Sequence, residues 1–470
     1  MKTMTLNEVA RAVNGNIVQG DEEKEVAAVS TDSRTLAQGN LFVALRGERY
    51  DAHLYLKAAI KSGAGALIVE NYDLPDQVPV IVVDDTLKAL QALASYNRRQ
   101  FTVPVIAITG SSGKTTTKDM VASVLAQKFK VLKTEGNFNN EVGLPLTLLE
   151  MDETHQAVVV EMAMRGPGEI DQLAGISLPT GAVITNVGEA HLERLGSIEN
   201  IARAKAELLD HIGQDGFAAL HRESPFLARE ASRCAGKVIT FGGDEADVYA
   251  INVQRAKNGN MFTVIYGAEQ AQMFIPVTGL HNVQNALASF IVGKQLGLHW
   301  NEIAEGLGRA AFSAMRMETE EVGGVTIIND AYNANPSSTK AALQALRETA
   351  GEKKAVAVLG NMLELGSGTK DGHTAVGKVA ASYGVEYLFT VGDLAEYIAT
   401  GAEEAGMNRD NISTYSDNRG VAKALGKFLT PGNVVLVKGS RGMHMEEIVE
   451  ELINDLRSGN GGTTSGGFNN

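Results

Sequence analysis

The chain has little of what disulfide-bonded, zinc-binding and membrane proteins need. It contains one cysteine, Cys234, among 470 residues, so it cannot form an intramolecular disulfide, and a reducing cytosol suits it best. No apolar run approaches the roughly 18 residues of a membrane span. Asn7 and Glu8 interrupt the N-terminal segment before the apolar stretch of a signal peptide can develop. We therefore expect a cytoplasmic protein that does not insert into a membrane.

Positive charge and aromatic residues are also scarce. The 42 Lys and Arg residues are outnumbered by 56 Asp and Glu residues, which gives a formal net charge of −14. This balance argues against nucleic acid or an anionic membrane as the main partner. The chain has one Trp and 6% aromatic residues but 50 Gly, which suits an α/β protein with many tight turns better than a β-sandwich.

The length and the apolar runs predict several domains, since one hydrophobic core stops growing at about 250–300 residues. Residues 1–83 carry short apolar runs around a helical stretch, which predicts a small N-terminal α/β domain. Residues 84–312 begin with a helix and continue with an apolar run at 103–109, typical of a strand buried on both faces of a parallel sheet. Strands and helices then alternate, with an antiparallel insert expected at 247–276, so we predict a central parallel-sheet domain.

The remaining third of the chain repeats the alternation of strand and helix. Residues 313–457 predict a Rossmann-like C-terminal domain. Its strands are expected at 325–328, 355–359, 387–391 and 434–437. Residues 458–470 are rich in Gly, Ser and Thr and predict a flexible tail.

A glycine-rich turn follows the apolar run at 103–109 and precedes a helix expected at 118–128. This order places free backbone N–H groups at a helix N-terminus, where phosphate binds. Lys114 would reach the β- and γ-phosphates, and the Thr115 hydroxyl would hold Mg²⁺. The loop is a shortened variant, because Ile108 stands where the usual pattern has its first glycine.

The turn therefore predicts a nucleotide site. A plain Gly-Ser turn with a surface lysine would not account for the strand and helix around it. The loop does not fix the reaction, because such loops serve motors, switches, kinases and ligases alike. Its expected contacts are Gly110, Ser111, Ser112, Gly113, Lys114, Thr115 and Thr116.

Three further residues are candidates for the reacting centre. Glu161 and His191 each follow a predicted strand, at the sheet edge where doubly wound folds bind ligands, and together they suit Mg²⁺ near phosphates. Taken alone, each signal is weak: His191 would be a capping or core residue, and Glu161 an acid near a helix N-cap. Lys205 lies on an amphipathic helix, and the pattern alone predicts a solvated side chain.

Two polar stretches suit recognition of a substrate. Residues 134–145 are rich in Asn, whose amide both donates and accepts hydrogen bonds, although an exposed loop would look the same. Residues 329–338 follow a strand and precede a helix, with Ser337 or Ser338 as the expected N-cap. Capping explains the Ser residues but not the cluster of Asp, Tyr and Asn before them.

Taken in order, these motifs resemble those of the Mur ligase family. The resemblance rests on the loop at 109–116, the segments at 185–191 and 204–207, and residues 279–288. It implies the three-domain α/β Mur ligase architecture: a small N-terminal domain that binds a UDP-linked substrate, a central P-loop domain that binds ATP, and a C-terminal Rossmann-like ligase domain.

Within the family, residues 137–145, 330–336, 30–34 and 47–53 are similar to the member that adds D-alanyl-D-alanine to UDP-N-acetylmuramoyl-tripeptide. The resemblance implies a monomeric enzyme that uses ATP and Mg²⁺ and works through an acyl phosphate. Its product would be the pentapeptide precursor of peptidoglycan. The substrate-binding residues it implies are Ser30, Asp32, Ser33, Arg34, Asn137, Asn139, Asn140, Tyr332, Asn333 and Asn335.

The resemblance also implies catalytic and nucleotide-binding roles. Lys114 would contact phosphate, Thr115 and Glu161 would hold one Mg²⁺, and His191 would hold a second. Lys205 would be carbamylated and would help to position metal, which reverses the reading of it as a solvated side chain. Nucleotide contacts would come from Asn282 at the adenine and from Arg316 and Asp330 of the third domain.

Two positions depart from the family pattern, and two rival functions stay open. Asn361 stands where Asp is expected, and residues 162–165 after Glu161 differ from the usual form. The first rival is a sister Mur ligase or a folylpolyglutamate-type ligase, which shares the ATP chemistry. The second is a nucleotide-gated binding or motor protein, although the chain lacks coiled-coil heptads and basic tracts. A purely structural role does not explain the loop at 110–116.

Overall fold

The computed structural model describes residues 1–47, 50–71, 78–256 and 258–458. Residues 48–49, within the segment expected to bind uridine, and residues 459–470 of the expected tail lie outside the described residues. The described chain forms three large sheets in succession, each mainly parallel and accompanied by helices. The predicted α/β class is confirmed. None of the helices in this described part of the chain is long and apolar enough to cross a membrane.

The N-terminal unit is built on the smallest of the three sheets. The strand order is β2-β7-β6-β5-β4, with β2 antiparallel to its neighbour and the other pairs parallel. Its elements are β1 (Met4–Thr5), α1 (Leu6–Val13), β2 (Asn16–Gln19), β3 (Glu25–Val26), β4 (Val29–Ser30), β5 (Leu41–Val43), α2 (Leu56–Lys61), β6 (Ala66–Val69), β7 (Val80–Val82) and α3 (Thr86–Arg99).

Helix α3 attaches this unit to the next. Two of its polar residues, Asn97 and Arg98, are buried. Asn97 Nδ2 donates to the Leu148 carbonyl at 2.9 Å, and Arg98 Nε donates to the Ser177 carbonyl at 3.0 Å. Because buried polar groups are costly when unpaired, these bonds fix the helix on the central unit.

The central unit has a nine-stranded sheet in the order β16-β15-β14-β13-β12-β11-β8-β10-β9. Strands β8 to β14 pair in parallel, and β14, β15 and β16 form the antiparallel edge that the sequence predicted. The elements are β8 (Val105–Thr109), α4 (Lys114–Leu125), β9 (Val131–Lys133), α5 (Gly143–Leu149), β10 (Ala157–Glu161), α6 (Glu169–Ser177), β11 (Gly181–Ile184), α7 (Leu192–Leu195), α8 (Ile198–Ala206), β12 (Phe217–His221), α9 (Pro225–Glu230), β13 (Lys237–Gly242), β14 (Val248–Ala256), β15 (Gly259–Tyr266), β16 (Glu269–Ile275), α10 (Leu280–Gln295) and α11 (Trp300–Gly308).

Strand β8 lies in the middle of the parallel part of this sheet and is buried on both faces. Ile106 and Ile108 belong to one apolar cluster, whereas Val105 and Ala107 belong to another on the opposite face. The alternation follows from the two-residue period of a strand. It explains why the strand reads as a continuous apolar run, and it places the glycine-rich loop at the centre of the sheet edge.

The C-terminal unit has a six-stranded sheet in the order β17-β18-β22-β19-β20-β21. The pair β17–β18 is antiparallel, and the remaining pairs are parallel. The elements are β17 (Glu318–Val322), β18 (Val325–Asn329), α12 (Pro336–Ala350), β19 (Lys354–Gly360), α13 (Thr369–Ser382), β20 (Tyr387–Val391), α14 (Glu396–Glu404), β21 (Ile412–Tyr415), α15 (Asn418–Phe428), β22 (Asn433–Lys438) and α16 (Glu446–Arg457). The four predicted strands are present, and the sequence missed the edge strands β17 and β21.

The chain enters the C-terminal unit through a segment held by helix α4. The Ser313 backbone N–H and hydroxyl donate to Asp119 Oδ2 at 3.0 and 2.9 Å. Asp119 is buried and also pairs with Lys118 at 3.1 Å and Lys133 at 3.0 Å. These positive charges and the Ser313 N–H outweigh burial and lower the pKa of the Asp119 carboxyl. The carboxylate therefore ties the interdomain segment to the helix that follows the glycine-rich loop.

Two predicted helix starts are wrong. Helix α4 begins at Lys114 and not near Lys118, because Gly113 in the left-handed conformation ends the loop directly before it. The N-cap of α12 is Asn335 and not Ser337 or Ser338. The Asn335 side chain accepts from the Ser338 N–H at 2.8 Å, and the Ser338 hydroxyl accepts from the Asn335 N–H at 3.1 Å. This reciprocal arrangement is a capping box, in which the third helical residue serves the cap.

Candidate active site

The glycine-rich loop needs its two glycines. Gly110 has a φ of 155° and Gly113 a φ of 77°, both positive. A Cβ at Gly110 would overlap the Thr185 hydroxyl, and one at Gly113 would lie 2.6 Å from Asn285 Oδ1. Glycine thus lets the loop pass close to β11 and α10 and enter α4, whose first N–H groups lack intrahelical partners and favour an anion.

The end of β11 holds the loop in shape. Asn186 Oδ1 accepts from the Ser112 N–H at 3.0 Å, and Asn186 Nδ2 donates to the Ser112 carbonyl at 3.0 Å. The buried Ser111 hydroxyl donates to the Gly188 carbonyl at 3.1 Å and accepts from the Gly188 N–H at 2.9 Å. These paired bonds order the loop before any ligand arrives, so the phosphate site is preorganised.

Lys114 folds back across the loop. Its Nζ donates to the Gly110 carbonyl at 2.9 Å. Burial lowers the pKa of the Lys114 amine, the nearby Glu161 carboxylate opposes this shift, and the Arg316 guanidinium adds to it. A lysine held at the loop by one carbonyl is placed to interact with a phosphate bound there.

Glu161 has an unused carboxylate oxygen. The residue ends β10 and is 1% exposed. Its Oε1 accepts from Asn139 Nδ2 at 2.8 Å, whereas Oε2 is buried without a hydrogen-bond partner. An unpaired buried carboxylate oxygen is costly, and a cation would satisfy it.

The residues present therefore fit a divalent cation at Glu161. Thr115 and His191 line the same cavity as Glu161. Within the described residues, no group of three or more His, Cys, Asp and Glu side chains could hold a metal ion. Oxygen atoms from a bound phosphate would have to complete the shell, as is usual for Mg²⁺.

Lys205 is buried, so the solvated side chain predicted from the helix pattern is wrong. The residue is 2% exposed on α8, and its Nζ makes no hydrogen bond or ion pair with any residue that the structure describes. Burial, together with the charge of Lys114, lowers the pKa of Lys205 well below the usual value. A lowered pKa favours the neutral form of the amine, whose lone pair can act as a nucleophile.

His191 contacts the C-terminal unit. It precedes α7 in the left-handed conformation, with a φ of 61°. Its Nδ1 lies 2.9 Å from Oε2 of Glu364, which follows β19. Sequence reasoning missed Glu364, although the residue lies in the stretch singled out for the departure at Asn361.

The C-terminal unit adds charged residues to the cavity. Asp330, after β18, accepts from Lys438 Nζ at 2.5 Å and from the Met317 N–H at 3.2 Å. The Arg316 guanidinium lies 4.1 Å from the centre of the Tyr332 ring, a cation–π contact, and its Nε has no hydrogen-bond partner. Lys438 was missed in the sequence, although it ends β22 just as Glu161 ends β10.

The N-terminal end of α10 supplies the opposite wall. Asn282, the expected adenine contact, is buried, and its Nδ2 donates to the Thr278 carbonyl at 2.7 Å. Its Oδ1 accepts from Asn285 Nδ2 at 3.0 Å. His281, which sequence reasoning missed, also lines the cavity, and burial lowers its pKa to about 4, so it is neutral at pH 7.

One cavity of about 620 Å³ collects most of the predicted site residues. Those lining it are Ser111, Ser112, Gly113, Lys114, Thr115, Thr116, Asn137, Asn139, Asn140, Glu161, His191, Asn282, Arg316, Asp330, Tyr332, Asn333 and Asn335. Gly110 and Lys205 are not among its lining residues.

The four predicted residues of the N-terminal unit lie away from this cavity. Arg34 pairs with Asp32 on the surface at 2.7 Å, and this hydrogen-bonded partner lowers the pKa of Asp32 to about 2. The Ser30 hydroxyl donates to the Asp32 carbonyl at 3.0 Å. Neither these residues nor Ser33 is part of the cavity wall, so the structure does not bring them together with the phosphate loop.

The two departures from the family pattern have structural explanations. Asn361 is buried; its Nδ2 donates to Asp393 Oδ1 at 2.8 Å and its Oδ1 accepts from the Ala395 N–H at 2.8 Å. Asparagine suits this place because its amide both donates and accepts. After Glu161, the Ala163 N–H donates to the Asn139 carbonyl at 2.9 Å, which secures the Asn-rich loop through backbone atoms.

A shortened phosphate loop and a buried acid with an unpaired oxygen line one cavity together with residues of the C-terminal unit, and a buried lysine lies on a nearby helix of the central unit. This arrangement defines an enzyme of the P-loop class, with room beside the phosphates for a second substrate.

Comparisons with known proteins place the chain more closely. Family models match residues 25–98 (Mur ligase family, catalytic domain), 108–293 (Mur ligase middle domain) and 315–441 (Mur ligase, glutamate ligase domain). The UDP-N-acetylmuramoyl-tripeptide–D-alanyl-D-alanine ligase of Bacillus subtilis (strain 168) is 40% identical over 454 residues, which is 96% of this chain and 98% of that protein. The chain belongs to the Mur ligase family.

Solved structures agree. A crystal structure of MurF from Acinetobacter baumannii has a TM-score of 0.90 at 31% identity and covers 97% of this chain and 99% of its own. The MurF ligase of Thermotoga maritima in complex with ADP has a TM-score of 0.83 at 29% identity, with 92% and 98% covered. The predicted three-domain Mur ligase architecture is confirmed.

Proposed function

We propose that this chain is an ATP-dependent amide ligase that adds D-alanyl-D-alanine to UDP-N-acetylmuramoyl-tripeptide. The single observation that carries the proposal is the joint placement of Lys114, Glu161 and the Asn-rich loop in one cavity with residues 330–335 of the C-terminal unit. The similar protein of Bacillus subtilis carries the name of this ligase, and the two solved structures described above are of MurF. The product is the pentapeptide precursor of peptidoglycan.

The reaction needs activation because a carboxylate is a poor electrophile. The terminal carboxylate of the tripeptide attacks the γ-phosphorus of ATP, ADP leaves, and an acyl phosphate forms. Lys114 and the N–H groups at the start of α4 bind the phosphate oxygens and neutralise the charge that develops on them. Their preorganisation by Asn186 and Ser111 means that little rearrangement accompanies the transfer.

The second step forms the amide. The free amine of D-alanyl-D-alanine attacks the acyl carbonyl, the tetrahedral intermediate collapses, and inorganic phosphate leaves while the amine gives up a proton. Residues from both units hold the two reactants in line, with Asn137, Asn139 and Asn140 on one side and Asn333 and Asn335 on the other. Closure between the units keeps water from the acyl phosphate.

Thr115, Glu161 and His191 would hold Mg²⁺, with Lys205 as a further ligand once carbamylated. When bound, Mg²⁺ neutralises phosphate charge and draws the reacting oxygens together. The unpartnered Oε2 of Glu161 supports this assignment. Carbamylation is supported by the burial of Lys205 and by its lowered pKa, which favours the neutral amine that could add to carbon dioxide; the carbamate would then present two oxygens.

The nucleotide and the acceptor would occupy different parts of the molecule. Asn282, Arg316 and Asp330 would contact the adenosine part of ATP, and the surface residues Ser30, Asp32, Ser33 and Arg34 would contact the UDP part of the acceptor. The long acceptor would then run from the N-terminal unit to the cavity. We further propose a monomer in the cytoplasm, where the ATP that the reaction uses is available.

A product assay tests the function. The purified protein is incubated with ATP, Mg²⁺, UDP-N-acetylmuramoyl-tripeptide and D-alanyl-D-alanine, and the nucleotide peptides are read by mass spectrometry. We expect one dipeptide minus water to be added for each ADP and each phosphate released. Running lysine- and diaminopimelate-containing tripeptides in parallel identifies the preferred acceptor.

The same assay separates the rival functions. A sister ligase would lengthen a shorter nucleotide peptide with a single amino acid, and a folylpolyglutamate-type enzyme would add glutamate to a folate. A motor or nucleotide-gated protein would release ADP without any amide product. Each of these outcomes would contradict the proposal.

A further inference from the structure

The contact between His191 and Glu364 joins two units at the cavity. His191 belongs to the central unit and lines the cavity, whereas Glu364 belongs to the C-terminal unit. The imidazole Nδ1 and the carboxylate Oε2 are 2.9 Å apart, and the side chains are 24% and 59% exposed.

Both residues have an unusual backbone conformation. His191 and Glu364 have φ angles of 61° and 63°, a conformation that non-glycine residues seldom adopt. Beside them, a Cβ at Gly366 would lie 2.8 Å from Cβ of Glu193, so the loop after β19 packs directly on α7. The approach of the two side chains therefore belongs to a packed interface between the units.

The geometry decides how the imidazole presents itself. A carboxylate oxygen at hydrogen-bond distance accepts, so Nδ1 must donate and carry the proton. In the neutral ring, Nε2 is then the nitrogen with a free lone pair.

We propose that Glu364 is a positioning residue that reaches from the C-terminal unit to fix the His191 ring with Nε2 free for the metal–phosphate group in the cavity. Histidines that serve metals commonly donate their other N–H to a carboxylate, which sets the tautomer and orientation of the ring. Here that carboxylate comes from another unit, so the imidazole is set only when the C-terminal unit is docked. The proposal rests on the proposed ligase function.

The tautomer can be measured without substrate or metal. Ring ¹⁵N shifts of the full-length protein are recorded at a pH well above the usual histidine pKa of about 6.5, with His191 assigned from a His191→Asn spectrum. We expect Nδ1–H in the wild type and in Glu364→Gln, whose amide oxygen can still accept. In Glu364→Ala we expect a shift towards Nε2–H.

A matched control is present in the central unit. His211 Nε2 lies 2.8 Å from Asp171 Oδ1, with side-chain exposures of 24% and 64%, and neither residue lines the cavity. Asp171→Ala removes an ion pair of the same kind and exposure away from the site. We expect it to leave the His191 shifts and the metal dependence unchanged.

Kinetics give the second readout. We expect Glu364→Ala to raise the Mg²⁺ concentration for half-maximal ligation roughly 10- to 100-fold, with Glu364→Gln between it and the wild type. Thermal unfolding of each variant is followed in parallel. If Glu364→Ala does not fold, the Mg²⁺ dependence of Glu364→Gln decides: a value equal to that of the wild type would overturn the proposal.

An unchanged His191 tautomer in folded Glu364→Ala would overturn the proposal, and so would an Mg²⁺ dependence altered equally by Asp171→Ala. A wild type that shows Nε2–H would also overturn it. Failure of the ligase function would appear separately, as a wild type that forms no lengthened nucleotide peptide while its His191 tautomer is as expected.

Discussion

Replacing Lys114 by Ala separates the phosphate site from the stability of the fold. The substitution removes one hydrogen bond, from Nζ to the Gly110 carbonyl at 2.9 Å. A hydrogen bond from a charged group contributes about 1.5–3 kcal/mol, but the Lys114 side chain is partly buried and burial lowers its pKa, so desolvation offsets the bond. We expect the free energy of unfolding to change by only about 1 kcal/mol.

The effect on ligation should be far larger. Lys114 would stabilise charge on the transferred phosphoryl group, and losing one such preorganised donor typically costs about 2.7–4 kcal/mol, or about 100- to 1,000-fold in kcat. Product formation measured by mass spectrometry gives the change in kcat, and unfolding in urea gives the change in the free energy of unfolding. Near-normal turnover by folded Lys114→Ala would refute the assignment of the loop.

Lys118 is a matched control one helical turn away. It is fully buried, pairs with Asp119 at 3.1 Å and donates to the Thr134 carbonyl at 2.9 Å. Breaking a buried ion pair costs about 3–5 kcal/mol, and the remaining Lys133 keeps the loss for Lys118→Met near the lower end. We expect this variant to lose stability, whereas Lys114→Ala loses activity. Equal losses of stability in the two variants would contradict the reasoning.

Three further predictions concern other parts of the site. Lys205→Ala should be nearly inactive and should regain ligation when short carboxylic acids are added; absence of rescue in a folded variant would count against carbamylation. Gly110→Ala should fold but raise the KM for ATP at least about tenfold, because its Cβ would displace the loop from Thr185; an unaltered KM would show that the loop tolerates the side chain. Asn361→Asp should lower the melting temperature by placing two carboxylates together, and adding Asp393→Asn should recover part of the loss; a double variant less stable than the single one would exclude this pairing.

Much of the fold could be predicted because buried parallel strands leave a plain signal. The run before Gly110 is apolar throughout since both faces of β8 are covered. The missed strands lack that signal. Glu318–Val322 is an edge strand with three glutamates, four of whose five residues are exposed, and Ile412–Tyr415 is a four-residue edge strand at the other side of the same sheet.

The candidate site was only partly predictable for a related reason. The loop and Glu161 follow from local order, since each comes directly after a strand. The burial of Lys205 depends on how α8 packs, which a helical repeat cannot reveal. Lys438 and Glu364 act through residues more than 100 positions away in sequence, so no local pattern connects them with Asp330 or His191.

The hydrogen bonds from Ser313 to Asp119 matter when segments are exchanged between such enzymes. Helix α4 begins at the proposed phosphate site and, in its second turn, holds the segment that leads into the last third of the chain. A chimaera whose C-terminal segment comes from a relative must keep both Asp119 and Ser313. Without them, the C-terminal segment is no longer hydrogen-bonded to α4, so its position relative to the nucleotide site is lost even when both parts of the chimaera fold.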